Sequence, residues 1–211
     1  MDVVGEGYAE IQPSIRRIHH EFKNNLQTVC SLIRLFSPSL DAEGKRILKR
    51  IEGCVHSMGS MYESLDKTGT DLSRVLIDDY LLTILRKALK SVDCKEATLR
   101  PDLSHSRLFV ESRVACQLGL LFNEIVVHVL AGFLENRRID SAILDVNEQN
   151  GFVRIEVDFG NTVFVRPEST QLSEEKILHA LVAQVEAVIE WPWESGRGLV
   201  SLVIPKSSLC S

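Results

Sequence analysis

Residue types that do chemistry crowd into one stretch of this chain, Ile18-His19-His20-Glu21-Phe22-Lys23-Asn24-Asn25-Leu26-Gln27. At about 100° per residue, Ile15, Ile18, Phe22, Leu26, Val29, Ile33 and Phe36 form one apolar stripe of a helix, and His20 falls nearly opposite. Arg16 and Arg17 sit one turn before it, Lys23 and Asn24 one turn after it and Gln27 two turns after it. An imidazole in such a basic, amide-rich frame is a nucleophile beside charges that would stabilise an anionic group in transfer. The plain alternative is a solvated histidine on an ordinary polar face. Against it stand Asn24 and Asn25, which inside a helix cost about 0.5 kcal/mol each relative to alanine. A helix built only for packing has no use for them.

The elements that position this helix follow from periodicity. Ser37-Pro38-Ser39-Leu40-Asp41 breaks it, Ser39 or Asp41 can cap a successor, and residues 42–66 carry a second stripe of Ile47, Ile51, Val55, Met58, Met61 or Tyr62, and Leu65. Two such helices with a short loop make an antiparallel hairpin. One seam cannot bury both stripes, so two copies are expected to pair as a four-helix bundle through residues 12–66, with residues 1–11 as a tail. After the polar break Lys67-Thr68-Gly69-Thr70-Asp71, a second domain is expected over 71–211. Its order is a helix capped by Asp71 or Ser73, short strands near 97–100 and 107–110, and a long apolar helix over 112–134. A hairpin around Glu148-Gln149-Asn150-Gly151 follows, then a helix over 173–188 and strands near 187–193 and 199–204. The fold class is therefore α+β, a helical hairpin followed by an α/β sandwich with helices on one face of a mixed sheet.

Composition narrows the function. A net charge of -5 over 211 residues argues against a general nucleic-acid binder and leaves basic surface only locally, as around His20. The N-terminal ten residues do not read as a signal peptide, and no apolar run is expected to reach the ~18 residues of a membrane span, which makes the expected location cytoplasmic. Cys30, Cys54, Cys94, Cys116 and Cys210 show no C-x-x-C pair, and the six histidines no metal spacing, so reduced thiols and no metal are expected.

The run His19-His20-Glu21-Phe22-Lys23-Asn24-Asn25-Leu26-Gln27 resembles the phosphoacceptor box of the HWE-related branch of bacterial sensor histidine kinases, His-His-Arg-Val-Lys-Asn-Asn-Leu-Gln, at seven of nine positions. The resemblance implies that His20 carries a phosphoryl group. Glu21 departs from the branch pattern, yet His20, Glu21 and Asn24 fit the His-Glu-x-x-Asn pattern of other histidine kinases. There the acid can take the ring proton and the amide can orient water. Leu120-Leu121-Phe122-Asn123-Glu124-Ile125-Val126-Val127-His128 resembles the ATP-binding domain of the same kinases, a Bergerat-like sandwich of the GHKL type, where Asn-Glu-Leu-Val-x-Asn is expected.

That second resemblance is eroded. His128 stands where an asparagine would help hold Mg²⁺, which prefers hard oxygen ligands. Asp158-Phe159-Gly160-Asn161-Thr162 keeps only Asp158 and Gly160 of Asp-x-Gly-x-Gly, and no glycine lies between Asn161 and Glu194 to cradle phosphates. Gly196 and Gly198 read as a turn, and Trp191 and Trp193 as alternating residues of a strand. A kept phosphoacceptor beside a degenerate nucleotide site (Asn123, Glu124, His128, Asp158, Gly160) implies a dimeric histidine phosphotransferase of a phosphorelay. His20, Glu21 and Asn24 would do the chemistry; Arg16, Arg17, Lys23 and Gln27 would dock response regulator receiver domains and, in some relays, an upstream hybrid kinase. No cofactor is expected on this chain, since the receiver domain brings its own Mg²⁺. The rivals are a divergent active histidine kinase and a non-catalytic adaptor.

Overall fold

The computed structural model describes residues 3–67, 73–91, 98–102, 108–131, 139, 141–160, 162, 172–192 and 198–209. Helix α1 spans Val3–Phe36 and α2 spans Ala42–Lys67, packed as an antiparallel hairpin. The segment expected as a tail is thus helical from Val3, and the helix continues through Pro13. Pro38 and a single 3-10 turn over Ser37–Ser39 end α1. Asp41 then caps α2, its Oδ1 accepting the Gly44 N–H at 2.8 Å, which settles the choice between Ser39 and Asp41.

A sandwich follows. Strand β1 (Arg74–Leu76) leads into α3 (Ile77–Ser91), then come β2 (Thr98–Asp102), β3 (Phe109–Glu111) and α4 (Ser112–Ala131). The chain goes on through β4 (Ser141–Gln149), β5 (Phe152–Asp158), α5 (Leu172–Val185), β6 (Val188–Glu190), β7 (Leu199–Pro205) and a last turn, α6 (Lys206–Leu209). Five strands form one sheet in the order β2-β4-β5-β7-β6, with β2 parallel to β4 and every other pair antiparallel. Strands β1 and β3 form a separate antiparallel pair. The β4–β5 hairpin turns on Asn150 and Gly151, both at positive φ, the geometry that makes Asn-Gly a turn signal. Alternation then divides the sheet. Ala142, Leu144, Val146, Val153, Ile155, Val157, Val200, Leu202 and Ile204 are buried in the core, while Arg154, Glu156, Glu190 and Ser201 form a polar network on the other side.

Several expectations need correction. Val75 and Leu76 do not open a helix capped at Asp71 or Ser73; they lie in β1, and α3 starts at Ile77, because Arg74–Leu76 pairs with Phe109–Glu111. Helix α5 stops at Val185, where Glu186 takes a left-handed φ of 53°. Strand β6 ends at Glu190, so Trp191 lies beyond it, and Trp193 falls outside the described residues. One apolar run does reach a membrane span's length, Ser112–Leu130 of α4, but 67% of it is buried inside the fold. A core helix of a sandwich has the same composition.

The apolar stripe of α1 also splits in two. Ile15, Leu26 and Ile33 lean into the α2 seam together with buried Cys30, whereas Ile18, Phe22, Val29, Leu32 and Phe36 stay exposed, joined by Ile47 and Ile51 of α2. The C-terminal half of α2 is committed elsewhere. Met61 and Leu65 belong to the core of the sandwich, and Ser57, Ser60 and Ser64 are buried with them. At this junction the Tyr80 hydroxyl of α3 lies against Gly119 of α4, so close that no Cβ would fit, and donates to the Ser57 carbonyl of α2 at 3.2 Å. Three helices meet on one phenol.

Gly119→Ala is therefore expected to lower unfolding free energy by about 1–3 kcal/mol through overpacking, measured by urea denaturation. Adding Tyr80→Phe, which removes the hydroxyl, should recover part of that loss.

Candidate functional site

The seam of the hairpin fixes the azimuth of α1 at the two histidines. On the inner side, His19 is 11% exposed, with Nδ1 3.4 Å from Asp66 Oδ1 and its ring 5.5 Å from that of Tyr62. Phe22 also stacks on the Tyr62 ring, with centroids 5.6 Å apart and the two planes parallel. A step of about 100° then turns His20 outward, where its side chain is 65% exposed. Its Nε2 stands 3.9 Å from Asp66 Oδ2, so one carboxylate on α2 addresses both rings.

Around His20 the expected frame is present. Arg17 pairs with Glu21 at 3.6 Å, and Lys23 reaches Glu63 of α2 at 3.1 Å. Arg16, Asn24 and Gln27 are exposed, and the Asn24 and Gln27 carbonyls accept bonds from Thr28 and Ser31 hydroxyls. A depression of about 450 Å³, lined by Gln12, Pro13, Arg16, Arg17 and His20, adjoins the ring. Glu21 is thus held by Arg17 rather than by the imidazole, and Lys23 leans toward the seam. Sequence reasoning missed Asp66, Tyr62 and Glu63. A signal existed, because antiparallel register pairs Arg34 with Glu52, Lys23 with Glu63 and His19 with Asp66, falling on one helix as it rises on the other.

The second group of expected site residues is not gathered in the same way. Asn123 and Glu124 are buried on the α4 face that meets α2. Glu124, 2% exposed, pairs with Arg50 of α2 and accepts the Cys54 thiol at 3.3 Å. Asn123 abuts Gly53, where an added Cβ would lie 3.3 Å from its Nδ2. One turn on, His128 meets Trp191 with ring centroids 5.1 Å apart. Asp158 ends β5 and its Oδ1 accepts the Gly160 N–H at 2.7 Å, closing a turn in which Gly160 has φ +64°. Gly198 is more than a turn residue, for a Cβ there would stand 2.7 Å from the Gly160 carbonyl oxygen and 2.9 Å from that of Thr162. Its own carbonyl accepts the Phe159 N–H at 2.7 Å. Gly196 lies outside the described residues.

A helical hairpin that exposes a histidine, joined to a mixed-sheet sandwich, is the architecture of histidine kinase domains. The histidine kinase domain of the blue-light activated histidine kinase EL346 of Erythrobacter litoralis matches at a TM-score of 0.55 and 18% identity, over 95% of this chain and 98% of that one. The longer EL346 structure matches at a TM-score of 0.57 and 18% identity over 89% of this chain, which spans 60% of it. At that identity the likeness establishes the fold. Residues 17–92 match the HisKA_2 family model, described as histidine kinase. Residues 17–92 thus match a histidine kinase family model, and the chain as a whole has the fold of histidine kinase domains. A search of curated proteins finds no match.

Arg50→Ala leaves the Glu124 carboxylate buried without its counter-charge and is expected to cost about 3–5 kcal/mol, read by denaturant titration. Burial first, and the Glu124 charge second, push the Cys54 thiol up from 9.0 to about 12. Above pH 9 the unfolded chain loses that proton before the folded one does, so this contribution is complete below pH 9 and fades toward pH 12. Cys54→Ser should flatten the alkaline fall of stability across that window.

Proposed function

We propose that this chain is a histidine phosphotransferase that moves a phosphoryl group between receiver-domain aspartates through His20. The observation that carries the reading is the contrast between two sites. His20 is exposed on a basic, indented face, whereas Asn123 and Glu124, the pair that a nucleotide site would turn toward Mg²⁺, are packed on α2 with Glu124 neutralised by Arg50. A carboxylate already saturated by a guanidinium and a thiol, beside an asparagine facing a helix backbone, fits poorly with holding a Mg-nucleotide. His128, the lost glycines after Asp158 and the close Gly198–Gly160 approach point the same way.

In the forward step, an imidazole nitrogen lone pair of His20 attacks the phosphorus of an aspartyl phosphate in line. The N–P bond forms as the P–O bond to the aspartate breaks, and the carboxylate leaves on the receiver. The proton on the other ring nitrogen goes to Asp66, Glu21 or water. Transfer to a second receiver reverses these events. Asp66 orients the ring, Arg16, Arg17 and Lys23 steer the acidic receiver surface, and the receiver's own Mg²⁺ screens the phosphoryl oxygens. The exposed apolar strip of Ile18, Phe22, Val29, Leu32, Phe36, Ile47 and Ile51 supports a homodimer through a four-helix bundle. The domains are then the hairpin over 12–66 and the sandwich over 71–211, acting without a membrane or nucleic acid in the cytoplasm.

The likeness to a histidine kinase domain over nearly its whole length favours a second reading, a divergent active kinase. A silent adaptor is the third. With a phosphorylated receiver domain as donor, His20→Ala is expected to receive no label while His19→Ala still does, followed by phosphate-affinity electrophoresis. Label arriving on His20 from ATP and Mg²⁺ alone would establish the kinase, and transfer surviving in His20→Ala would refute both.

A further inference from the structure

Midway along the hairpin, three side chains of metal-ligating type meet. Cys30 of α1 is buried, Glu52 and His56 lie one turn apart on α2, and one ligand atom from each lies within 4.8 Å of the others. The linear spacing of the histidines hides this cluster, which exists only because antiparallel register brings α1 against α2. We propose that Cys30, Glu52 and His56 form a site for Zn²⁺, with thiolate, carboxylate and imidazole as three ligands and water as the fourth.

The donor set suits the ion, since zinc takes sulfur, nitrogen and carboxylate oxygen at about 2.0–2.3 Å, which sets tetrahedral ligand atoms about 3.3–3.7 Å apart. A positive group already occupies the notch. Arg34 Nε donates to Glu52 Oε1 at 2.6 Å, and its Nη2 approaches His56 Nε2 at 3.3 Å. The same Nε2 lies 3.5 Å from Glu52 Oε1, and the tautomer that accepts from Arg34 there is the one that would ligate a metal through that atom. The guanidinium is 63% exposed and free to withdraw into solvent, so the ion would displace it.

Titration adds a consequence. Burial, then Glu52, holds the Cys30 thiol above its ordinary value against Arg34 of α1 and Lys87 of α3. Burial, then Lys87, holds His56 below its ordinary value, with Arg34 adding to this and Glu52 of α2 opposing. At neutral pH the imidazole is already neutral, and the ion must displace the thiol proton, which is released to water as the S–Zn bond forms. Binding consequently weakens as pH falls. Cys30 is ten residues from His20, about 15 Å along α1, so the ion would pin hairpin register without touching the phosphoacceptor.

The test titrates the metal-stripped full chain with Co²⁺, followed by Zn²⁺ competition against a chelating dye, with circular dichroism on every variant. One equivalent should give a thiolate-to-cobalt band in the near ultraviolet and tetrahedral bands in the visible. Cys30→Ser should abolish the thiolate band, and His56→Ala should weaken binding about tenfold or more. Arg34→Ala, on an exposed side chain, should tighten binding by removing the competing cation. Absence of the thiolate band in the parent chain, unchanged affinity in Cys30→Ser, or unchanged or weaker affinity in Arg34→Ala would each overturn the proposal, the last even if Cys30→Ser fails to fold.

Discussion

A carboxylate with almost no contact with water, Glu124, is held by the guanidinium of Arg50, and much of the molecule's geometry depends on that pair. Burying such a charge is unfavourable by several kcal/mol unless it is matched, so α2 must present Arg50, with Cys54 one turn on, at a fixed height along α4. The Tyr80 hydroxyl on Ser57 and Met61 and Leu65 in the sandwich core repeat the constraint further along the same helix. Helix α2 is thereby a shared wall. Its N-terminal half belongs to the hairpin and its C-terminal half to the sandwich, although a polar break in the sequence suggests a boundary only after it ends.

That shared wall also decides which histidine meets solvent. With α2 fixed on α4, Tyr62 and Asp66 are fixed too, and they set the rotation of α1 by stacking on Phe22 and facing His19. Two neighbouring residues of the same type then acquire opposite environments from a single step of the helix.

Much of this was legible before any coordinates. Helical periodicity found the hairpin and turned His20 outward, Ser39 or Asp41 marked the start of α2, and Asn150-Gly151 marked the β4–β5 turn, because each signal is local. What escaped depends on partners distant in sequence. Strand β1 has three residues and takes its conformation from β3. Asp66 looks like the last acid of a surface helix until register sets it beneath two imidazoles. Asn123 and Glu124 carry the pattern of a nucleotide box, and only the docking of α2 reveals that they pack against a neighbouring helix. The apolar stripe of α1 is wider than one seam, as its sequence implies, and α2 covers only one edge of it.

The join between hairpin and sandwich has a mechanical meaning as well. Six residues, 68–73, join α2 to β1, and six residues fully extended reach at most about 22 Å. The connection starts at Lys67, directly after the aspartate that faces His20. Were α2 to part from α4, the first strand of the sandwich would stay within that length of Lys67, so any excursion would begin beside Asp66 and the His20 ring.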